Sequence, residues 1–256
     1  MALHSSSKVI LFRDSSSDED SGAKDKYTEL LQNDHESVES IPVLEHRYLL
    51  TPENTDQIVH ARPGYSALIF TSKNAVKALA QAASQWIEQT SCETNDGDKA
   101  AREEAWTRFL QLPVFVVGKA TASACRSLLY SSDRSADIRG QDTGKATAML
   151  PQILGFCRDE CERNKETGAR LLFFCGNQRR DTLPDGIRQS GYAVELTELV
   201  SYTTAGRSLN QVEADLVAVL DKGKLQSDVT RDKKQACSAD HALVWFVCFS
   251  PSGVRV

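Results

Sequence analysis

No apolar run in this chain approaches the ~20 residues needed to span a bilayer; the longest are only of strand length. Met1 to Ser7 is polar and leads into no apolar h-region, so no secretory signal is expected. The acidic stretch Asp14 to Asp20 does not fit an Arg-rich transit peptide either. At a net charge of −5, no global basic field gathers nucleic acid or an anionic membrane surface. There is no catalytic triad, no P-loop and no dinucleotide fingerprint. His4, His35, His46, His60 and His241 are scattered through polar or loop settings, and none has an evident role. The seven cysteines are Cys92, Cys125, Cys157, Cys161, Cys175, Cys237 and Cys248. An odd count, with Cys175 and Cys248 inside expected strands, fits reduced thiols in a cytoplasmic protein better than a disulfide framework. Cys157 and Cys161 sit four apart on an expected helix, but no His joins them at a zinc-site spacing, and no metal site is expected.

What the chain does contain is a junction repeated four times. An apolar run stops at a short Ser/Thr/Gly/Asn loop, and helical spacing follows. The junctions are Leu68 to Ser72, Val114 to Thr121, Leu171 to Asn177 and Val244 to Ser250. Such runs read as buried strands of a parallel sheet. Each loop would lie at the carboxyl end of its strand, where open α/β sheets bind ligands. Each also presents free N–H groups at a helix start, which suits an anion. One junction says little; four suggest a ligand carrying many negative charges.

With 256 residues, 41% hydrophobic and 25% charged, the chain has room for two modest domains. Val9 to Phe12 reads as the first strand, followed by a polar loop from Arg13 to Lys26 and a short helix from Tyr27. Val38 to Leu44 reads as a strand whose Pro42 marks an edge or an exit from the sheet. From about residue 50 to 198 strand and helix alternate, the pattern of βαβ units. There the spacing predicts helices over 74–83, 122–129 (capped by Thr121), 148–163 (with a proline near its start) and 181–190 (closed by Gly191). Glu93 to Lys99 reads as a solvated loop, and Ala193 to Tyr202 as extended. After Gly206, Ser208 and Gln211 make a capping-box pattern before a helix face of Leu209, Val212, Leu216 and Val219. Lys222 to Asp240 reads as a surface loop and Val244 to Phe249 as the last strand. The expected fold is thus two parallel-sheet α/β domains, 1–44 with 207–256 and 50–198, joined by linkers 45–49 and 199–206. The ligand would sit in a cleft between them, closed by a double hinge.

At this level the local sequences become recognisable. Leu68-Ile69-Phe70-Thr71-Ser72, Val117 to Ser123, Cys175-Gly176-Asn177-Gln178-Arg179-Arg180, Leu199 to Thr203 and Phe249 to Val254 closely resemble the uroporphyrinogen-III synthase family, in that family's order and with similar spacing. The resemblance implies a cofactor-free enzyme of haem and other tetrapyrrole biosynthesis. Its substrate would be hydroxymethylbilane, a linear tetrapyrrole with eight carboxylates. The enzyme closes it with loss of water and inversion of ring D, giving the type III isomer where spontaneous closure gives type I. Catalysis of that kind rests on positioning. Eight carboxylates match several helix N-termini.

The resemblance places Tyr202 and Thr121 as catalytic residues, with the Tyr202 phenol easing loss of hydroxide from the substrate. Substrate contacts fall to Thr71, Ser72, Lys73, Gly118, Lys119, Gly176, Asn177, Arg180, Ser250 and Ser252. Lys73, Lys119, Arg179 and Arg180 would add charge-assisted hydrogen bonds, the alternative for each being a solvated surface charge. Thr71, Ser72, Thr121 and Ser250 also suit plain helix caps. The expected partner is the small-molecule substrate, with no nucleic acid, no membrane, no metal and a monomeric, cytoplasmic protein. The family normally continues past Ser250-Pro251-Ser252-Gly253-Val254, so a C-terminally shortened chain with an incomplete first domain is expected. A non-catalytic tetrapyrrole- or anion-binding module on the same fold is the alternative. A nucleotide-binding enzyme fits less well, for want of a Gly-rich phosphate loop.

Overall fold

The computed structural model describes residues 7–13, 26–61, 64–89, 96–130, 136–229 and 243–248. The chain divides into two compact units, one from Met1–Glu45 and Ala205–Val256, the other His46–Thr204. Both are α/β.

In the first unit, β1 (Ser7–Phe12) lies between β2 (Ser37–Ile41) and β9 (Leu243–Cys248), parallel to both. Val9, Ile10, Leu11 and Ile41 are fully buried there. Pro42 follows β2 directly, and its carbonyl accepts from the Arg207 guanidinium at 2.8 Å, which also pairs with Asp215 at 2.7 Å. Trp245 and Phe246 on β9 are both 53% exposed, so the apolar run here is not a buried core strand. The helices are the short α1 (Lys26–Leu31) and the long α8 (Leu209–Val229). The Ser208/Gln211 capping box forms, with Ser208 N donating to Gln211 Oε1 at 3.1 Å and Gln211 N to Ser208 Oγ at 3.3 Å. Two expectations change. Leu209 is 85% exposed and leaves the inner face to Val212, Leu216 and Val219. The helix also runs on through Lys222 to Val229, a stretch without proline that includes Gly223.

The larger unit is built on β3 (Leu44–Tyr48), α2 (Pro52–Val59), β4 (Ala67–Phe70), α3 (Lys73–Glu88), α4 (Asp96–Phe109), β5 (Val114–Val116), α5 (Lys119–Leu129), β6 (Ile138–Arg139), α6 (Ala146–Arg163), β7 (Ala169–Gly176), α7 (Thr182–Gln189) and β8 (Val194–Gly206). The six-stranded sheet has the order β3-β8-β7-β4-β5-β6, and from β8 to β6 every neighbour is parallel. β4 and β5 are buried at every residue and β7 at all but Arg170, because helices cover both faces. Alternate side chains divide the core. Leu68, Phe70, Val114, Val116, Leu172 and Phe174 meet α3 and α5. Ala67, Ile69, Phe115, Leu171, Phe173 and Cys175 meet α6 and α7. Phe70 and Phe174, paired in register, stack with centroids 4.8 Å apart.

Local differences from the sequence reading have local causes. Residues 96–99 belong to α4 and are not loop. Pro151 is interior to α6, because that helix begins at Ala146 and places the proline a turn and a half inside. The lost N–H of Pro151 costs one helix bond, and the buried Met149, Ile153, Phe156 and Cys157 hold the helix on the sheet regardless. Most of the loop expected from Arg13 to Lys26 lies outside the described residues.

Candidate functional site

Because β8, β7, β4, β5 and β6 are parallel, their exits share one edge of the sheet. Thr71-Ser72 leaves β4, Val117-Gly118 leaves β5, Gly140 leaves β6 and Asn177 leaves β7. Neighbouring exits are tied together. Val117 N donates to Phe70 O at 3.1 Å, and Asn177 N to Tyr202 O at 3.1 Å. The structure therefore brings Thr71, Ser72, Lys73, Gly118, Lys119, Gly176, Asn177 and Tyr202 to a single edge. Ser250 and Ser252 lie outside the described residues.

The helix starts at this edge are not equivalent. Ser72 caps α3, its Oγ accepting from Asn74 N at 3.1 Å. Ser72→Ala is expected to lower unfolding free energy by about 1 kcal/mol, measured by urea denaturation. α5, α6 and α7 start at Gly118, Lys145 and Asp181 with no side-chain cap bond, which leaves first-turn N–H groups open to solvent or ligand. Thr121 is not a cap, contrary to expectation. Gly118 takes φ 83°, open only to a residue without Cβ, and the helix begins at Lys119. Thr121 is thereby drawn inside α5, 4% exposed. Gly140 is equally constrained, since at φ 84° a Cβ would lie 2.6 Å from Val116 O.

The basic residues also divide. Arg179 is half-buried in ion pairs with Asp181 and Glu198, and Arg188 reaches Glu198 at 3.4 Å. Lys119 and Arg180 are exposed and have no ion pair among the described residues. Those two remain available to a carboxylate. The buried thiols of Cys125, Cys157 and Cys175 are poor nucleophiles. Burial pushes Cys125 and Cys157 up to about 12, and raises Cys175 against the pull of Arg179.

Tyr202 and Gly176 are in close contact at this edge. A Cβ built on Gly176 would lie 2.7 Å from Tyr202 Cζ and 2.9 Å from its hydroxyl. The phenol lies over bare backbone where β7 ends, at a register shift between Cys175 and Gly176. Ser201 Oγ donates to Cys175 O at 3.0 Å and Thr204 N to Asn177 Oδ1 at 3.0 Å, pinning β8 on either side of the tyrosine. Sequence reasoning found Gly176, Asn177 and Tyr202 but passed over Ser201, Thr204 and His46. His46 is 158 residues from its partner Thr204, and no local pattern signals such a pairing.

A crevice of about 840 Å³ opens at the opposite, amino-terminal edge of the sheet, lined in part by Tyr65, Ser66, Pro113, Phe156 and Gly168. Its guanidiniums are already paired, Arg139 with Asp137, Arg163 with Glu160 and Arg170 with Glu195. Among the described residues no group of His, Cys, Asp and Glu is arranged to hold a metal ion, and no helix is long and apolar enough to cross a membrane.

A parallel α/β sheet with N–H-rich turns, uncapped helix starts and a tyrosine at its carboxyl edge is of the class whose strand ends suit an anionic ligand. The family model HEM4, uroporphyrinogen-III synthase HemD, matches residues 25–256. The chain belongs to the uroporphyrinogen-III synthase family. Three solved structures are similar to it. The uroporphyrinogen-III synthetase of Helicobacter pylori 26695 is 13% identical over 79% of this chain and 64% of its own, with a TM-score of 0.40. A mutant uroporphyrinogen III synthase of the extremely thermophilic bacterium Thermus thermophilus is 14% identical over 79% and 64%, with a TM-score of 0.41. A second Thermus thermophilus uroporphyrinogen III synthase structure is 14% identical over 87% and 70%, with a TM-score of 0.34. This chain thus spans 64% of the length of the first two. Family membership rests on the match over residues 25–256.

Proposed function

We propose that the chain is a uroporphyrinogen-III synthase, closing hydroxymethylbilane with loss of water and inversion of ring D. One observation carries the reading most directly: the Tyr202 phenol rests on Gly176 where β7 ends, at the edge shared by the turns after β4 and β5. Several N–H groups at helix starts, with Lys119 and Arg180, suit a substrate bearing eight carboxylates. Thr71, Ser72, Lys73, Gly118, Gly176 and Asn177 would complete the binding edge. Asn177 Oδ1 is engaged by Thr204 N, so its amide NH₂ is the group left to donate. Fixing two ends of a flexible chain at bonding distance supplies most of the rate in such a reaction. The Tyr202 hydroxyl would then donate to the departing hydroxyl, which leaves as water. The reading takes the protein as a cofactor-free cytoplasmic monomer.

Incubation of the purified chain with freshly generated hydroxymethylbilane tests it, the products being oxidised and the type I and type III isomers separated. Type III product above the enzyme-free control is expected. Type I alone at the spontaneous rate would overturn it, and saturable tetrapyrrole binding in that sample would point to a binding module. Tyr202→Phe keeps the ring and loses the proton, so kcat should fall only about three- to tenfold, with type III still in excess. Unchanged kcat and isomer ratio would remove the proton-donor role.

A further inference from the structure

His46 lies on β3, the strand next to β8. Its ring meets the Tyr202 ring edge-on, with centroids 5.9 Å apart and planes at 77°, a geometry that aromatic pairs favour. Its Nδ1 is 2.9 Å from Thr204 Oγ1; the tautomer decides which group donates, and the contact holds either way. Thr204 N donates to Asn177 Oδ1 at 3.0 Å, and Asn177 N to Tyr202 O at 3.1 Å. These bonds close a circuit around the phenol. Gly176 supports one side of the ring, His46 packs against the ring edge-to-face, and Asn177 holds the strand at Tyr202 O and at Thr204 N. A tyrosine confined this way has few rotamers left, and less orientational entropy remains to be lost on reaching the transition state.

We propose that His46 is a positioning residue for Tyr202: its ring edge keeps the phenol over Gly176, and its bond to Thr204 fixes the strand segment that Asn177 holds. The catalytic half of this statement rests on the function proposed above, and the contact half does not.

The test uses the full chain labelled with 3-fluorotyrosine, the Tyr202 fluorine resonance being assigned by its loss in Tyr202→Phe. In His46→Ala that resonance should shift and sharpen as the ring gains freedom. kcat should fall about tenfold with KM within about twofold, and the type I share of product should rise. His46→Phe keeps an aromatic ring without the Thr204 bond; it should bring the resonance part of the way back and recover part of kcat, a rescue that a general loss of stability would not give. A Tyr202 resonance unmoved in both variants would overturn the proposal. So would a shifted resonance with kcat, KM and isomer ratio all unchanged. If the unmodified chain makes no type III product, the functional reading fails, and the fluorine spectrum still decides whether His46 holds the ring.

Discussion

Gly176→Ala should reduce formation of the type III isomer by about a hundredfold, more than loss of the Tyr202 hydroxyl itself. The new methyl carbon would fall 2.7 to 3.1 Å from three atoms of the phenol, where carbon atoms settle at ~3.5–4.0 Å. The ring must therefore move by the better part of an ångström. It cannot move alone, since Tyr202 O accepts from Asn177 N and Thr204 N is held by Asn177 Oδ1. The turn that carries the binding N–H groups shifts with it. Tyr202→Phe disturbs none of this, which is why its loss should be small beside that of the alanine variant. Single-turnover assays of both variants, with isomer separation, check the order. Equal losses would mean that the hydroxyl, and not its placement, is what the site needs.

Phe174→Ala should lower the unfolding free energy of the larger unit by about 3–5 kcal/mol. The side chain is fully buried, stacks on Phe70 at 4.8 Å and belongs to the core under α3 and α5. Its neighbours are a paired strand on each side, β4 and β8, so the backbone cannot close the void. A domain of ordinary stability would lose a large fraction of its margin. Urea denaturation followed by near-ultraviolet dichroism measures it, with Phe174→Leu as the milder control. A loss below about 1 kcal/mol would mean that the core repacks freely, against the close packing described here.

Much of the larger unit is legible in the amino-acid sequence, and the reason is physical. β4, β5 and β7 are buried on both faces, so each appears as an unbroken apolar run that few other elements imitate. The loops that follow them could be placed because each contrasts so sharply with its strand. Helix starts were harder. Thr121 has the chemistry of a cap, yet a glycine three positions earlier sets the turn through its positive φ, which a residue list does not display. Pro151 suggested a helix beginning near it, while the burial of Met149 on the sheet side extends α6 across it. The polar stretch after Lys222 gave no apolar period to follow, although α8 continues through it. The surroundings of Tyr202 were illegible for another reason. They are assembled from β3, the end of β7 and β8, and a sequence read along its length does not reveal which distant strands become neighbours.

The register of β1 against β9 bears on how the chain is made. Ser7 to Phe12 leave the ribosome before any of the larger unit, but their partners Leu243 to Cys248 follow only after all of it. The strands of the larger unit from β4 to β8, by contrast, are contiguous in the order of synthesis. That unit can fold while translation proceeds, as domains generally do. Until β9 arrives, β1 has β2 on one side and a row of unsatisfied backbone groups on the other. The open edge persists for as long as the ribosome takes to reach Leu243. In that interval a nascent chain risks pairing with another copy of itself, and a chaperone that masks short extended segments would raise the yield of folded protein.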